Sequence, residues 1–190
     1  MRCLSPLVVG LLLSSSLLSS GRASAGGAFQ QRLSLQGVTF NVKASGEGSQ
    51  QQLTIQVRAG KQGFQAISET VDGHVVGAEV ADLNSDTLPE LYVYVQRASS
   101  GRDGQLVAYS ASRGQHLLPI YLQELSGAPA KGYMGHDEFA VLENALGRRF
   151  PIYKEGDTNA QPTGKTRQLQ YKLVAGEAGW VLKPYEVTEY

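Results

Sequence analysis

Hydrophobic and polar residues alternate with a period of two over most of the chain from Leu33 onward. This alternation puts successive side chains on opposite faces and is typical of half-buried β-strands. It recurs in short runs that are separated by turn residues. We therefore expect an all-β fold, with about 8–10 short strands in a single antiparallel, sandwich-like or barrel-like domain over residues 26–190.

Local patterns refine this picture at four places. The polar stretch 46–49 separates two alternating runs and predicts a hairpin turn. Residues 91–95 are apolar or aromatic on both faces, which predicts a centrally placed strand. Residues 154–167 are rich in Gly, Pro, Thr and Asn and predict a long surface loop. The best helix candidate is 137–146, where three apolar residues lie at helical spacing.

Residues 1–25 have the pattern of a secretory signal peptide. Arg2 supplies the positive charge, a serine-interrupted apolar run follows, and small residues at 23–25 form the cleavage site. The apolar run is too short for a membrane span. We therefore expect a cleaved signal peptide, no membrane span, and export to the periplasm. Cleavage also removes Cys3 and Arg22.

Composition narrows the class of protein further. The whole chain has 17 Lys+Arg and 17 Asp+Glu, and loss of the signal peptide leaves 15 basic against 17 acidic residues. This balance argues against a nucleic-acid partner. A mature chain without cysteine has no disulfide and depends on its core alone, which its length allows. Six acids and no Lys or Arg fall between residues 69 and 90, which indicates either an acidic face for a basic partner or a solvated surface.

One acidic loop has the spacing of a cation site. Asp82, Asn84 and Asp86 alternate, and Glu90 follows, which is how oxygen ligands wrap Ca²⁺. Thr87 replaces the glycine that such loops use for a sharp turn. The other interpretation is that these residues cap their own backbone in Asx turns. The leading interpretation has no metal and no cofactor, and the alternative function is a calcium-stabilised β-sandwich binding module of the cell envelope.

We do not expect an enzyme. His136 and Asp137 have the chemistry of an acid–base pair, but neighbouring residues of a strand point to opposite faces. The mature chain has no cysteine nucleophile and no G-x-S-x-G elbow. The three histidines lack the short spacings of a zinc site.

Residues 99–104 form a polar loop between two predicted strands. A plain hairpin connection accounts for its glycines, Gly101 and Gly104. The functional interpretation is a stiff protrusion that presents Ser100 and Arg102 to the cleft of a partner protein.

Several ungapped phrases of unusual residues stand out after residue 75. They are VADLN at 80–84, PELYVY at 89–94, SG at 100–101, LVAYS at 106–110, KGYMGHDEFAV at 131–141, RRFP at 148–151, EGDTNAQPTG at 155–164 and QYKL at 170–173. With these phrases the chain resembles the periplasmic inhibitors of i-type (invertebrate-type) lysozyme. The resemblance covers residues 75–190 well and the N-terminal third weakly.

The resemblance implies an exported β-sandwich-like protein that protects peptidoglycan by blocking the active-site cleft of a lysozyme. Related lysozyme inhibitors insert a loop with an S-G-x-x-Y signature, and Ser100 and Gly101 match its start. Gly104 stands where the signature has tyrosine, and Tyr109 is the next tyrosine along the chain. Ser100 would donate to one of the two catalytic carboxylates of the lysozyme, and Arg102 would pair with the other or with the acidic rim of the cleft.

The predicted partner is thus i-type lysozyme, and the oligomeric state stays open, a homodimer included. The predicted lysozyme-binding loop comprises Ser100, Gly101, Arg102, Asp103 and Tyr109, with Tyr133 and His136 as flanking contacts. The alternative for the two flanking residues is structural, with a tyrosine packed under a loop and a histidine that caps it.

Overall fold

The protein is almost entirely β-structure in this computed structural model, which describes residues 27–99 and 101–190. The predicted signal peptide, with Cys3, and the loop residue Ser100 lie outside the described residues. The strands are β1 (Phe29–Leu35), β2 (Val38–Ser45), β3 (Gln50–Ala59), β4 (Gln62–Gly63), β5 (Ile67–Asp72), β6 (His74–Ala81), β7 (Glu90–Gln96), β8 (Gly104–Ala111), β9 (Leu117–Leu122), β10 (Glu138–Val141), β11 (Leu146–Pro151), β12 (Thr166–Ala175) and β13 (Trp180–Glu189). A short 3-10 turn covers Ala128–Ala130. The all-β prediction is confirmed, although these thirteen strands exceed the 8–10 expected.

The strands form two sheets. The first has the order β1-β2-β3, with β4 and β5 pairing to different parts of β3, and all its pairs are antiparallel. The second has eight strands in the order β10-β11-β12-β13-β9-β8-β7-β6. All its neighbours are antiparallel except β13 and β9, which run parallel. The expected antiparallel domain therefore contains one parallel pair, formed between strands far apart in the sequence.

The predicted hairpin around 46–49 is confirmed as the β2–β3 pair. Phe40 lies opposite Val57 and Val42 opposite Ile55, and all four side chains are buried. This register keeps the apolar positions of both strands on one face, which is what period-two alternation requires.

Strand β7 separates two hydrophobic cores. Leu91, Val93 and Val95 pack into a core with the first sheet, whereas Tyr92 and Tyr94 pack into a second core with β11, β12 and β13. The strand lies between β6 and β8, and these five residues are buried. The prediction of a central strand with two apolar faces is thus confirmed.

The eight-stranded sheet is nearly closed, because its edge strands β6 and β10 approach each other. Glu79 of β6 bridges them. Its Oε2 accepts a hydrogen bond from the backbone N–H of Val141 on β10, at 2.8 Å, and another from the Tyr94 hydroxyl. The Glu79 carboxylate thus takes the place of some of the backbone hydrogen bonds that would form if β6 and β10 paired directly.

The helix candidate at 137–146 is wrong. This stretch forms β10 and the turn into β11, with Phe139 opposite Arg148 and Val141 opposite Leu146. The long loop predicted at 154–167 is confirmed except at its end, since β12 begins at Thr166. One isolated bridge, Thr158 to Gln161, folds this loop back on itself.

Candidate functional site

The connection between β7 and β8, of which the structure describes residues 97–99 and 101–103, is called the β7–β8 loop below. Backbone hydrogen bonds close it at two levels, from Arg97 N to Asp103 O at 2.9 Å and from Arg102 N to Ser99 O at 3.0 Å. The loop is therefore a hydrogen-bonded continuation of the β7–β8 hairpin and not an unsupported connection.

A second stretch, residues 132–137, lies against this loop and is called the support segment. The backbone N–H of His136 donates to the carbonyl of Gly101 at 2.7 Å. Gly135, at φ +95°, lies so close to Gly101 that a Cβ on Gly135 would overlap the Gly101 carbonyl. A Cβ on Gly101 would in turn lie 2.8 Å from the carbonyl oxygen of Met134. Both glycines are therefore needed for the two backbones to meet.

Asp137, at the end of the support segment, ties the loop to the second core. Its Oδ2 accepts hydrogen bonds from the Gly104 N–H, at 2.8 Å, and from the Tyr133 hydroxyl. Its Oδ1 accepts one from Arg148 Nε at 2.6 Å, with both charged side chains buried. The carboxylate thus connects the first residue of β8, the support segment and β11.

Three aromatic rings surround the buried guanidinium of Arg148. It lies 5.2 Å from the ring centre of Tyr133, 5.6 Å from that of Phe139 and 5.7 Å from that of Phe150. Burial alone would lower the pKa of Arg148, but the bond to Asp137 outweighs that effect and the pKa lies above its ordinary value. Arg148 is therefore a permanent buried cation paired with one carboxylate and three ring faces.

Besides Arg97, the β7–β8 loop has one more exposed arginine, Arg102. Its backbone has φ +45°, a left-handed conformation that is uncommon for a residue with a side chain. Within residues 27–99 and 101–190 no carboxylate forms an ion pair with its guanidinium. Asp103 is half-buried, and its Oδ1 lies beside the contact between Gly101 and Gly135. Among the described residues no carboxylate forms an ion pair with Arg97 either, so the loop presents two free positive charges.

The structure does not bring Tyr109 to the β7–β8 loop. It lies in β8, five residues beyond Gly104, which corresponds to about 16 Å of extended strand. Its ring packs against the first core, and its hydroxyl donates to Glu69 Oε1 at 3.0 Å. Burial raises the pKa of Tyr109 to about 12. Tyr109 therefore does not take the place of the missing signature tyrosine.

Tyr133 and His136 do lie beside the loop, but their polar atoms are engaged. Tyr133 packs edge-on against Phe150, and its hydroxyl donates a hydrogen bond to Asp137. His136 Nε2 lies 2.7 Å from Asn159 Oδ1. His136 and Asp137 have different side-chain partners, as expected, but both precede β10, so strand alternation is not the reason. The structural interpretation of both flanking residues fits these contacts.

Sequence reasoning missed Arg148 and Asn159. Asn159 lies in the long loop, where its side chain holds His136 and also donates to the Met134 carbonyl at 3.0 Å. No feature of the sequence around Asn159 marked it as a contact residue. The sequence did contain a signal for Arg148. It alternates with Leu146 and Phe150 along one strand, and therefore lies on the same inward face as these two apolar residues. A charge at such a position needs a buried partner.

An open groove of about 520 Å³ lies next to the loop. Its lining includes Arg97, Asp103, Tyr121, Glu124 and Tyr133. Tyr121 is 53% exposed and stands on β9. The β7–β8 loop therefore lies beside a concave surface that carries both charges and an aromatic side chain.

The acidic loop 82–90 lies between β6 and β7, at the opposite end of β7 from the β7–β8 loop. Asx turns form as the sequence suggested, with Asp86 N–H donating to Asn84 Oδ1 and Leu88 N–H donating to Asp86 Oδ1. Thr87 itself adopts φ +69°, so the chain turns without glycine. One carboxylate oxygen each from Asp82, Asp86 and Glu90 lie within 4.8 Å of one another.

The acids between residues 69 and 90 do not form one solvated face. Glu69 accepts from Tyr109, Glu79 bridges β6 and β10, and Glu90 is fully buried. These three carboxylates have partners within the fold, so the six acids form neither a continuous acidic face for a basic partner nor a wholly solvated surface.

No protein-family model matches this chain, and a search of curated proteins finds no match either. No helix in residues 27–99 or 101–190 has the length and apolar character needed to cross a bilayer.

Proposed function

We propose that this protein is an exported inhibitor of i-type lysozyme that works in the periplasm and is not itself an enzyme. In this proposal the β7–β8 loop enters the active-site cleft of the lysozyme and thereby protects peptidoglycan. The resemblance of residues 75–190 to such inhibitors suggests the target.

One observation carries the proposal: an exposed arginine lies on a loop whose backbone is fixed from two sides. Hydrogen bonds across the hairpin fix it from within, and the His136 N–H binds it from the support segment. The Asp137 carboxylate holds Gly104, the residue that directly follows the loop. A loop that is already ordered loses little conformational entropy on docking, so more of its contact energy appears as affinity.

The charge of Arg102 suits the chemistry of the target. Lysozymes cleave with two carboxyl groups that flank the scissile glycosidic bond. A guanidinium forms strong, geometrically specific hydrogen bonds with a carboxylate, and those bonds strengthen when docking excludes water. The hydroxyl of Ser100 adds a donor for the second carboxyl group, as the resemblance implies.

The test compares two exposed arginines at opposite ends of β8. Arg102→Ala removes the proposed anchor, and Arg113→Ala removes an exposed arginine from the turn between β8 and β9. We expect Arg102→Ala to raise the concentration for half-inhibition by about thirtyfold, the equivalent of a 2 kcal/mol hot spot. Arg113→Ala should leave it unchanged. Both variants should unfold at the same temperature as the unaltered protein.

Inhibition is measured as the loss of turbidity of bacterial cell walls treated with i-type lysozyme, with chicken-type and goose-type lysozymes in parallel. Ser100→Ala should act like Arg102→Ala, and the double variant shows whether the loop acts as one unit. Full potency of Arg102→Ala would remove Arg102 from the interface. Failure of the unaltered protein to inhibit i-type lysozyme would overturn the proposal as a whole.

A further inference from the structure

Three carboxylates converge in the acidic loop 82–90 without a basic partner. An oxygen from each of Asp82, Asp86 and Glu90 lies within 4.8 Å of the other two. None of the ion pairs formed within residues 27–99 and 101–190 involves these groups. Like charges at such distances repel one another, and the repulsion grows as burial lowers the local dielectric constant.

Glu90 shows that the cluster is incomplete. Its side chain is fully buried, and Oε2 accepts hydrogen bonds from the Leu83 N–H at 2.8 Å and from the Tyr92 hydroxyl. No donor in the described part of the chain reaches Oε1, although this atom is buried as well. A buried carboxylate oxygen without a partner is strongly unfavourable.

We propose that this cluster binds Ca²⁺ through Asp82, Asp86 and the buried Glu90. Carboxylate oxygens are the ligands that hard cations prefer, and Asn84 adds an amide oxygen in the same turn. The cation would offset the repulsion among the three acids and supply the positive partner that Oε1 lacks. This inference is independent of lysozyme inhibition, because the β7–β8 loop lies at the other end of β7.

Calcium fits this site better than magnesium does. Ca²⁺ accepts six to eight oxygen ligands in flexible geometry, whereas Mg²⁺ demands a compact octahedron and retains most of its water. The loop supplies its oxygens on side chains of different length from one irregular turn, in which Ser85 and Thr87 have positive φ. Such a site adapts more easily to the larger ion.

The test uses protein freed of metal by a chelating resin and then titrated with CaCl₂ in a calorimeter. Thermal unfolding is followed in parallel by the fluorescence of Trp180, with CaCl₂, with MgCl₂ or with EGTA. We expect saturable heat with CaCl₂ and an unfolding midpoint that rises with its concentration, because the ligand binds the folded state. MgCl₂ at the same concentration should give a smaller shift.

Three variants locate the site. Glu90→Gln keeps the shape of the side chain and should abolish the calcium-dependent shift. Asp86→Asn lies in a less buried position and should raise the dissociation constant at least about tenfold, since affinity follows ligand charge. Asp72→Asn changes an exposed acid on β5 and should bind Ca²⁺ like the unaltered protein. If Glu90→Gln does not fold, the dissociation constant of Asp86→Asn for Ca²⁺ tests the site by itself.

The inference is overturned if millimolar CaCl₂ gives neither heat nor a midpoint shift, or if Asp86→Asn binds as tightly as Asp72→Asn. A folded Glu90→Gln protein that keeps the full calcium shift would overturn it as well.

Discussion

Replacement of Asp137 by alanine removes the carboxylate that joins the β7–β8 loop to the second core. Three donors lose their acceptor at once, namely Arg148 Nε, the Tyr133 hydroxyl and the Gly104 N–H. The Asp137 side chain has no exposed surface and that of Arg148 is 8% exposed, so water cannot readily replace the lost bonds. The variant therefore leaves a buried, uncompensated guanidinium.

The magnitude follows from the burial of this pair. Loss of one partner of a buried ion pair costs about 3–5 kcal/mol in free energy of unfolding. The neighbouring pair Glu138–Arg149 offers a matched control, because its side chains are 65% and 55% exposed. An exposed pair contributes less than about 1 kcal/mol. We thus expect Asp137→Ala to lose at least about 2 kcal/mol more than Glu138→Ala.

Urea unfolding followed by the fluorescence of Trp180, the single tryptophan, measures this difference. With a slope of about 2 kcal/mol per molar urea, a 3 kcal/mol loss moves the midpoint by about 1.5 M. The slope itself should stay constant, which shows that the unfolded state is unaltered. Equal midpoints for Asp137→Ala and Glu138→Ala, at equal slopes, would refute the view that this buried carboxylate organises the loop.

Two further predictions concern the loop and its neighbours. Gly135→Ala should destabilise the protein by about 1–3 kcal/mol more than Gly37→Ala and should weaken inhibition. Of these two glycines, only Gly135 has a backbone carbonyl where the added Cβ would lie. Equal urea midpoints for the two variants would contradict this. Tyr109→Phe should lose about 0.5–1.5 kcal/mol with its bond to Glu69 and inhibit lysozyme normally; reduced inhibition in the cell-wall assay would mean that Tyr109 contacts the lysozyme after all.

The elements that follow from local pattern alone were predictable. The β2–β3 hairpin has a polar turn between two alternating runs, and β7 has apolar residues on both faces. The stretch 137–146 was ambiguous, because Phe139, Leu142 and Leu146 fit a helix while Phe139 and Val141 fit a strand. Pairing of β10 with β11 decides the matter, and a short window contains no information about its partner strand.

The support of the candidate site was not predictable, because it depends on contacts between distant parts of the chain. Gly101 meets Gly135, and Asp137 meets Gly104, over more than thirty residues of sequence. The parallel pairing of β13 with β9 has the same origin. Alternation fixes which face of a strand is buried, but it does not say which strand lies beside it. The predicted loop residues could therefore be named, and Tyr109 could be placed on the following strand, whereas the contacts that support the loop could not be predicted.

Strand β7 connects the two proposed sites. Glu90 is its first residue and the β7–β8 loop follows its last, so about 20 Å of extended chain separates the cluster from the loop. Both faces of this strand are buried in separate cores, which makes it a rigid spacer that resists local deformation. A cation at Glu90 would thus stabilise the strand without touching a lysozyme docked at its other end. We therefore expect Ca²⁺ to increase the stability of the protein without changing its inhibition of lysozyme. The reason is that the cation and the inhibited enzyme share a strand but no contact surface.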